Sequence, residues 1–234
     1  MEKHYPKVYE KHKDWYEVFS QAEDAPQKIR KFITHAFDLE NKIILDLGCG
    51  SGKFIPFFAP RAKRYYALDA SKKLLEIAGK KCTGMKNISF IHSLAQKIPL
   101  PNNSVDVVFS SWALSAMNFI DKREKALKEI FRVLKKGGEC ILVENNFKGN
   151  LQRVFGYNPN PYEFNYQYWL KENGFKIVKR IKTYFLFKSL ADAKSSMSAI
   201  FRNQVSSRIV DKKVIHEVVI LHKRKAIKTN HHFQ

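Results

Sequence analysis

The chain has 234 residues and a mass of 27.3 kDa, the size of one α/β domain or of one domain with a small appendage. Apolar residues at 44% and aromatics at 13% are enough for a sizeable core, which excludes wholesale disorder. The net charge of +20 comes from 42 Lys and Arg against 22 Asp and Glu, with a basic excess of 17 to 5 from Asn146 onward.

No apolar run approaches the roughly 20 residues of a membrane span, and the first 17 residues are too charged for a signal-peptide core. Cys49, Cys82 and Cys140 are widely spaced, with no CxxC and no Cys/His cluster. That argues against a disulfide framework and against any metal site. A cytoplasmic protein is the expectation. The basic excess suits nucleic acid, an acidic membrane or an anionic substrate. Because the Lys residues are scattered and no RNA-binding stretch of interleaved aromatics is present, a solvated surface is the preferred reading. Nucleic acid stays as the rival partner.

Along the chain, the first 25 residues give a weak helical pattern whose aromatics need something to cover. Pro26 is expected to open a helix with Ile29, Phe32, Ile33, Ala36 and Phe37 on one face. Lys42 to Leu47 reads as a buried strand that stops at Gly48. Tyr65 to Asp69 is the next strand, and Ser71 caps a helix carrying Leu74, Leu75 and Ala78. Ile88 to His92 and Val105 to Ser111 are further strands. Asp121 with Glu124 predicts a capping box for a helix through Leu134, and Lys136-Gly137-Gly138 is expected to end that helix before a strand from Glu139 to Glu144. A helix from about Asn165 to Asn173, a strand from Phe175 to Phe187, a helix from Leu190 to Phe201 and a strand from Val214 to His222 complete the pattern.

Alternation of this kind predicts an α/β fold, a doubly wound and mostly parallel sheet with helices on both faces. The two last long strands are expected to pair antiparallel along its edge. The organisation expected is a helical cap or lid over residues 1–40 and a main domain over 41–225. An insertion at about 147–168 and a basic tail at 226–234 go with it.

Ligands of such sheets bind beyond the carboxyl ends of the strands, near the switch in strand order. The first strand here runs into Asp46-Leu47-Gly48-Cys49-Gly50-Ser51-Gly52-Lys53-Phe54, and the second ends in Asp69, 17 residues after Gly52. A dinucleotide fingerprint needs a small residue where Lys53 stands, and a P-loop needs Gly at Leu47 and Ser or Thr at Phe54. Neither fits. Asp46 with Gly48, Gly50 and Gly52, followed by the acid Asp69, resembles the first two motifs of the class I S-adenosylmethionine-dependent methyltransferases. His92 to Pro101, Ser104 to Ser111 and Glu129 to Gly138 are similar to that family's later motifs. The resemblance covers about residues 26 to 222 and is nearest the small-molecule branch with the ubiquinone and menaquinone enzymes.

The resemblance implies a seven-stranded sheet with an antiparallel C-terminal hairpin, S-adenosylmethionine as cofactor and S-adenosylhomocysteine as product. It assigns Asp46 to orienting the loop, Gly48, Cys49 and Gly50 to the methionine part and Asp69 to the ribose. Ala70, Leu94 and Ala95 fall by the adenine, and Ser111 ends the fourth strand beside the methyl donor. Leu94 departs from the family, which usually has an acid there to read the adenine amino group. Candidates on the acceptor side are Trp112, Asn145 and, as a base, His92. Asn158-Pro159-Asn160-Pro161-Tyr162 reads as a rigid turn. The expected function is methyl transfer to a small molecule, with RNA methylation and a non-catalytic cofactor-binding regulator as alternatives.

Overall fold

The computed structural model describes residues 11–117, 119–146, 161–201 and 203–227. Residues 1–10 of the expected cap, 147–160 of the expected insertion and turn, and 228–234 of the expected tail lie outside the described residues.

Seven strands form one sheet in the order β3-β2-β1-β4-β5-β7-β6. They are β1 (Ile43–Leu47), β2 (Arg64–Asp69), β3 (Ile88–His92), β4 (Val105–Ser111), β5 (Leu134–Asn145), β6 (Lys176–Leu186) and β7 (Lys213–Arg224). β1 to β5 run parallel, and β7 lies antiparallel between β5 and β6. Strand order reverses between β1 and β4, so the cleft above their carboxyl ends is where this architecture binds ligands.

Burial follows the period-2 alternation of the strands. Ile44 of β1 points into one core and Leu45 and Leu47 into the other. The first core is closed by α2 (Lys28–Ala36) through Ile29 and Ile33, by the short α3 (Ile55–Phe58), and by α4 (Lys72–Lys81) through Leu75 and Ala78. The second is closed by α5 (Ile120–Val133) through Ala126, Leu127 and Ile130, and by α6 (Pro161–Glu172) through Tyr166 and Leu170. Each of the isoleucines and leucines among them contributes about 1.5–3 kcal/mol by leaving water. A third cluster joins α1 (Lys13–Ala22) to α7 (Leu190–Phe201) over the end of β6, with Phe19 and Phe185 at 4.9 Å between ring centroids. That contact covers part of the N-terminal aromatic surface.

Three local expectations change. α2 begins at Lys28 rather than at Pro26, because Gln27 ahead of it takes a left-handed φ of 59°. α5 begins at Ile120 behind Phe119 with no side-chain cap, so Asp121 sits inside the first turn instead of capping it. β5 starts at Leu134, directly off the helix, and the Gly137-Gly138 pair falls inside the strand, where the pairing with β4 skips from Val105↔Leu134 to Val107↔Glu139. A Cβ on Gly138 would stand 2.9 Å from the carbonyl oxygens of Asp106 and Lys135, so the glycine is required by close packing.

Candidate active site

Beyond Leu47 the main chain folds back onto β2, where the amides of Gly48 and Cys49 both donate to the carbonyl of Leu68, at 2.8 and 3.0 Å. Gly48 has φ 76° and Gly50 φ 55°, the left-handed region that glycine occupies without strain. A Cβ on Gly48 would lie 2.4 Å from Cβ of Ala113, and one on Gly50 would lie 2.4 Å from the Tyr16 hydroxyl. The loop is thus a bare backbone surface facing the turn after β4 on one side and α1 on the other.

Asp69 is the brace of this loop. Its Oδ2 accepts from the Gly50 amide at 2.9 Å and its Oδ1 from the Ser71 amide at 2.8 Å. Burial raises its pKa, while these two amides and that of Ala70 pull the other way. Among the described residues Asp46 makes no hydrogen bond to the loop main chain. Its Oδ2 accepts from the Tyr65 hydroxyl at 2.8 Å, and its Oδ1, beneath the loop, has no partner among the described residues. Burial pushes its pKa up to about 7 against that hydrogen bond. Cys49 is buried, which raises its thiol well above the ordinary range and leaves it a small packing residue.

The other wall is the carboxyl end of β4. Ser111 closes the strand beside Val143, and Trp112 follows with φ 54°, a strained conformation for a bulky residue. Its amide donates to Val143 at 2.9 Å and its indole N–H to Asn145 Oδ1 at 3.0 Å, which fixes the ring across the gap between β4 and β5. Trp112 and Asn145 are therefore brought together. His92 is not: β3 is separated from β4 by β2 and β1, about 14 Å at the usual strand spacing, and its Nε2 sits 3.1 Å from the Ala70 carbonyl. Ala70 and Ala95 are half-buried, and Leu94 is exposed.

Three residues to which the sequence reading gave no site role stand out nearby. Lys53, just past the loop, pairs with Glu23 at the end of α1, with side-chain exposures of only 9% and 6%. Its ammonium also lies 4.8 Å from the Trp112 ring centroid and 5.2 Å from that of Phe54. Burial pushes Glu23 up and Lys53 down, and their contact opposes both shifts. His216 on β7 is fully buried, with its ring centroid 4.4 Å from that of Phe185. Its pKa is pushed down to about 3 by burial first and the Lys53 charge second. The inward alternation Val214, His216, Val218, Ile220 was the available signal for His216; nothing local marks Glu23. On the opposite core, Glu144 accepts from the Tyr166 hydroxyl at 2.7 Å, and burial raises its pKa to about 7.

α1 lies over the loop, with the Tyr16 hydroxyl 2.4 Å from where a Cβ on Gly50 would stand. A cavity of about 300 Å³ remains at its outer flank, lined by Gln21, Arg30, Lys53, Phe57 and Lys81 among others. No group of three or more His, Cys, Asp or Glu able to hold a metal occurs among the described residues, and no helix there is long and apolar enough to cross a membrane.

Residues 45–142 match a family model described as a methyltransferase domain. The chain is 32% identical over 130 residues to the uncharacterized methyltransferase YcgJ of Bacillus subtilis, covering 55% of this chain and 49% of that protein. It is 32% identical over 108 residues to the ubiquinone/menaquinone biosynthesis C-methyltransferase UbiE of Campylobacter jejuni, covering 43% of each. The chain spans about half the length of the curated relatives it matches. Among solved structures, that of YcgJ is similar with a TM-score of 0.60 at 18% identity, over 85% of this chain and 98% of that one. A methyltransferase of Thermotoga maritima described as a possible histamine N-methyltransferase gives a TM-score of 0.60 at 20% identity, over 94% and 99%. Likeness at that identity shows the fold.

Proposed function

We propose that the protein is a class I S-adenosylmethionine-dependent methyltransferase acting on a small-molecule acceptor, a reading supported by the match of residues 45–142 to a methyltransferase-domain model. The observation that carries the reading is the join at the switch point: a side-chain-free loop at Gly48 and Gly50, braced by a carboxylate at the end of the neighbouring strand.

The residues fit the cofactor. Gly48 and Gly50 leave backbone for the methionine part, and the unpartnered Oδ1 of Asp46 offers an acceptor for its ammonium. An ammonium there would hold Asp46 ionised. Each Asp69 oxygen keeps a lone pair for a ribose hydroxyl beyond the amide it already accepts. Ala70, Leu94 and Ala95 would border the adenine, and Ser111 the methyl end. When bound, S-adenosylmethionine supplies a methyl group on a sulfonium, an electrophile that is already activated.

What remains for the chain is alignment and exclusion of water. Trp112, locked by Asn145, gives the acceptor a flat wall at the end of β4. Glu23 and Lys53 hold α1 over the loop and shut solvent out. Beside Trp112 the Glu23 carboxylate is taken up by its ion pair with Lys53, which suits an acceptor that arrives nucleophilic or loses its proton after transfer. The flat face of Trp112 supports a small and largely apolar acceptor.

The test is incubation of the protein with S-adenosylmethionine labelled in its methyl group and a metabolite extract. Label is expected in the small-molecule fraction. Label in the RNA fraction alone would favour the rival reading, and no label in either would remove transfer from the account.

A further inference from the structure

Arg30 on α2 is a half-buried cation without a contact partner for its charge. Its guanidinium lies 4.3 Å from the Phe57 ring centroid, and its Nε, out of reach of solvent, donates to nothing among the described residues. No ion pair or side-chain hydrogen bond of this guanidinium occurs among those residues. Burial lowers its pKa, and the charges of Asp24 and Glu23 pull the other way. A cation that has lost water and gained no direct partner is costly, and such a group is a reason to look for a ligand.

Arg30 lines the cavity of about 300 Å³ on the outer flank of the loop. Four helices wall this cavity: α1 through Ser20 and Gln21, α2 through Arg30, α3 through Phe57 and α4 through Lys81, with Lys53 beside them. Gly48, Gly50 and Asp69 do not border it, so it is separate from the surface assigned to the cofactor. The two lysines already have carboxylates, Lys53 with Glu23 and Lys81 with Glu17, and Lys81 also donates to the Ser51 carbonyl at 3.1 Å. Asp24 is committed elsewhere, accepting from the amides of Ile29 and Arg30 and from the Thr183 hydroxyl. We propose that this cavity binds the phosphate group of a small organic phosphate monoester, read by the Arg30 guanidinium and bridging α1 to α2. The site goes beyond the transferase reading and does not depend on it.

Three properties select this class. A guanidinium fork pairs with two oxygens of one oxyanion at once. A tetrahedral phosphate then keeps a further oxygen for the N–H groups that Lys53 and Lys81 have left over, whereas the two oxygens of a carboxylate are used up by the fork. The volume stands at the lower end of the roughly 300–1,000 Å³ of small-molecule pockets, which suits a compact organic ester with its body against Phe57 better than a lone phosphate ion. The net charge of +20 draws such an anion from a distance.

The test is calorimetric titration of phenyl phosphate, inorganic phosphate and phenol into wild type, Arg30→Gln and Arg30→Lys. Wild type should bind phenyl phosphate more tightly than inorganic phosphate, and at least about tenfold more tightly than phenol. Arg30→Gln should bind phenyl phosphate at least about tenfold more weakly than wild type, and Arg30→Lys, which keeps the charge and loses the fork, should fall between them. Hydrogen exchange across residues 13–22 of wild type should slow when phenyl phosphate is bound, because the ligand ties α1 to α2. The wild-type comparisons stand whether or not either variant folds. No binding of phenyl phosphate, an equal affinity for phenol, an equal affinity for inorganic phosphate, full affinity in a folded Arg30→Gln, or binding that leaves exchange across residues 13–22 unchanged would each overturn the proposal.

Discussion

Replacing Lys53 with Met keeps most of the side-chain volume and deletes the charge that faces Glu23. Both partners are almost sealed from solvent, at 9% and 6% exposure, so the variant leaves a buried carboxylate with only the more distant Arg30 guanidinium to offset it. Breaking a buried pair in this way costs about 3–5 kcal/mol. The other ion pair on α1, Lys81 with Glu17, is more exposed at 30% and 20% and adds at most about 1 kcal/mol. The loss should therefore fall first on the docking of α1, which is otherwise held by Val18, Phe19 and Ala22 against Phe185 and α7. Urea unfolding gives the global cost, and hydrogen exchange across residues 13–22 gives the local one. Adding Glu23→Gln to Lys53→Met should recover at least about 2 kcal/mol, a coupling in the range expected for residues in contact. The penalty should also depend on pH. Burial raises the Glu23 pKa, so the stability of Lys53→Met is retained at low pH, where Glu23 is protonated, and is lost as pH rises through its folded pKa. A cost below about 1 kcal/mol, or single effects that simply add, would refute the idea that this pair clamps α1 to the loop.

Gly50→Ala should cost at least about 1 kcal/mol from its left-handed φ alone and should also displace Tyr16, so Tyr16→Phe in the same chain should recover part of the loss in a thermal melt. Glu144 has a folded pKa raised to about 7, so its contribution is fully present below its unfolded pKa near 4.3 and is lost as pH rises through 7. Glu144→Gln should flatten the stability profile over that window by up to about 1.4 kcal/mol per pH unit, and an unchanged profile would show that Glu144 is not buried as described.

The five parallel strands and the loop were legible in the sequence because each signal is local. A run such as Ile43-Ile44-Leu45 must be buried on both faces, and Gly48 and Gly50 announce a backbone turn that side chains would block. The acid at Asp69 was placed correctly on the next strand, yet its bond to the Gly50 amide, and the pairing of Asp46 with Tyr65 instead of the loop, depend on contacts 19 residues apart. The docking of α1 was less legible still. Glu23 meets Lys53 across 30 residues, and His216 joins them only through the strand order that puts β7 beside β5. A capping box at Asp121 looked sound locally and was overridden by where the chain leaves the β4 turn, which starts α5 two residues earlier. His92 failed as an acceptor-side candidate for the same reason: the end of a strand says nothing about which strands stand next to it.

The most direct measurement of the central claim is calorimetric titration of S-adenosylhomocysteine into wild type, Asp69→Asn and Asp69→Ala. The account predicts saturable sub-millimolar binding by wild type. Asp69→Ala should be weaker by at least about tenfold, since it loses charge-assisted hydrogen bonds to ribose worth about 1.5–3 kcal/mol each and frees the Gly50 amide. Asp69→Asn should fall between the two. Absence of binding by wild type, or a folded Asp69→Ala that binds as tightly as wild type, would contradict the assignment of the cofactor site to this loop.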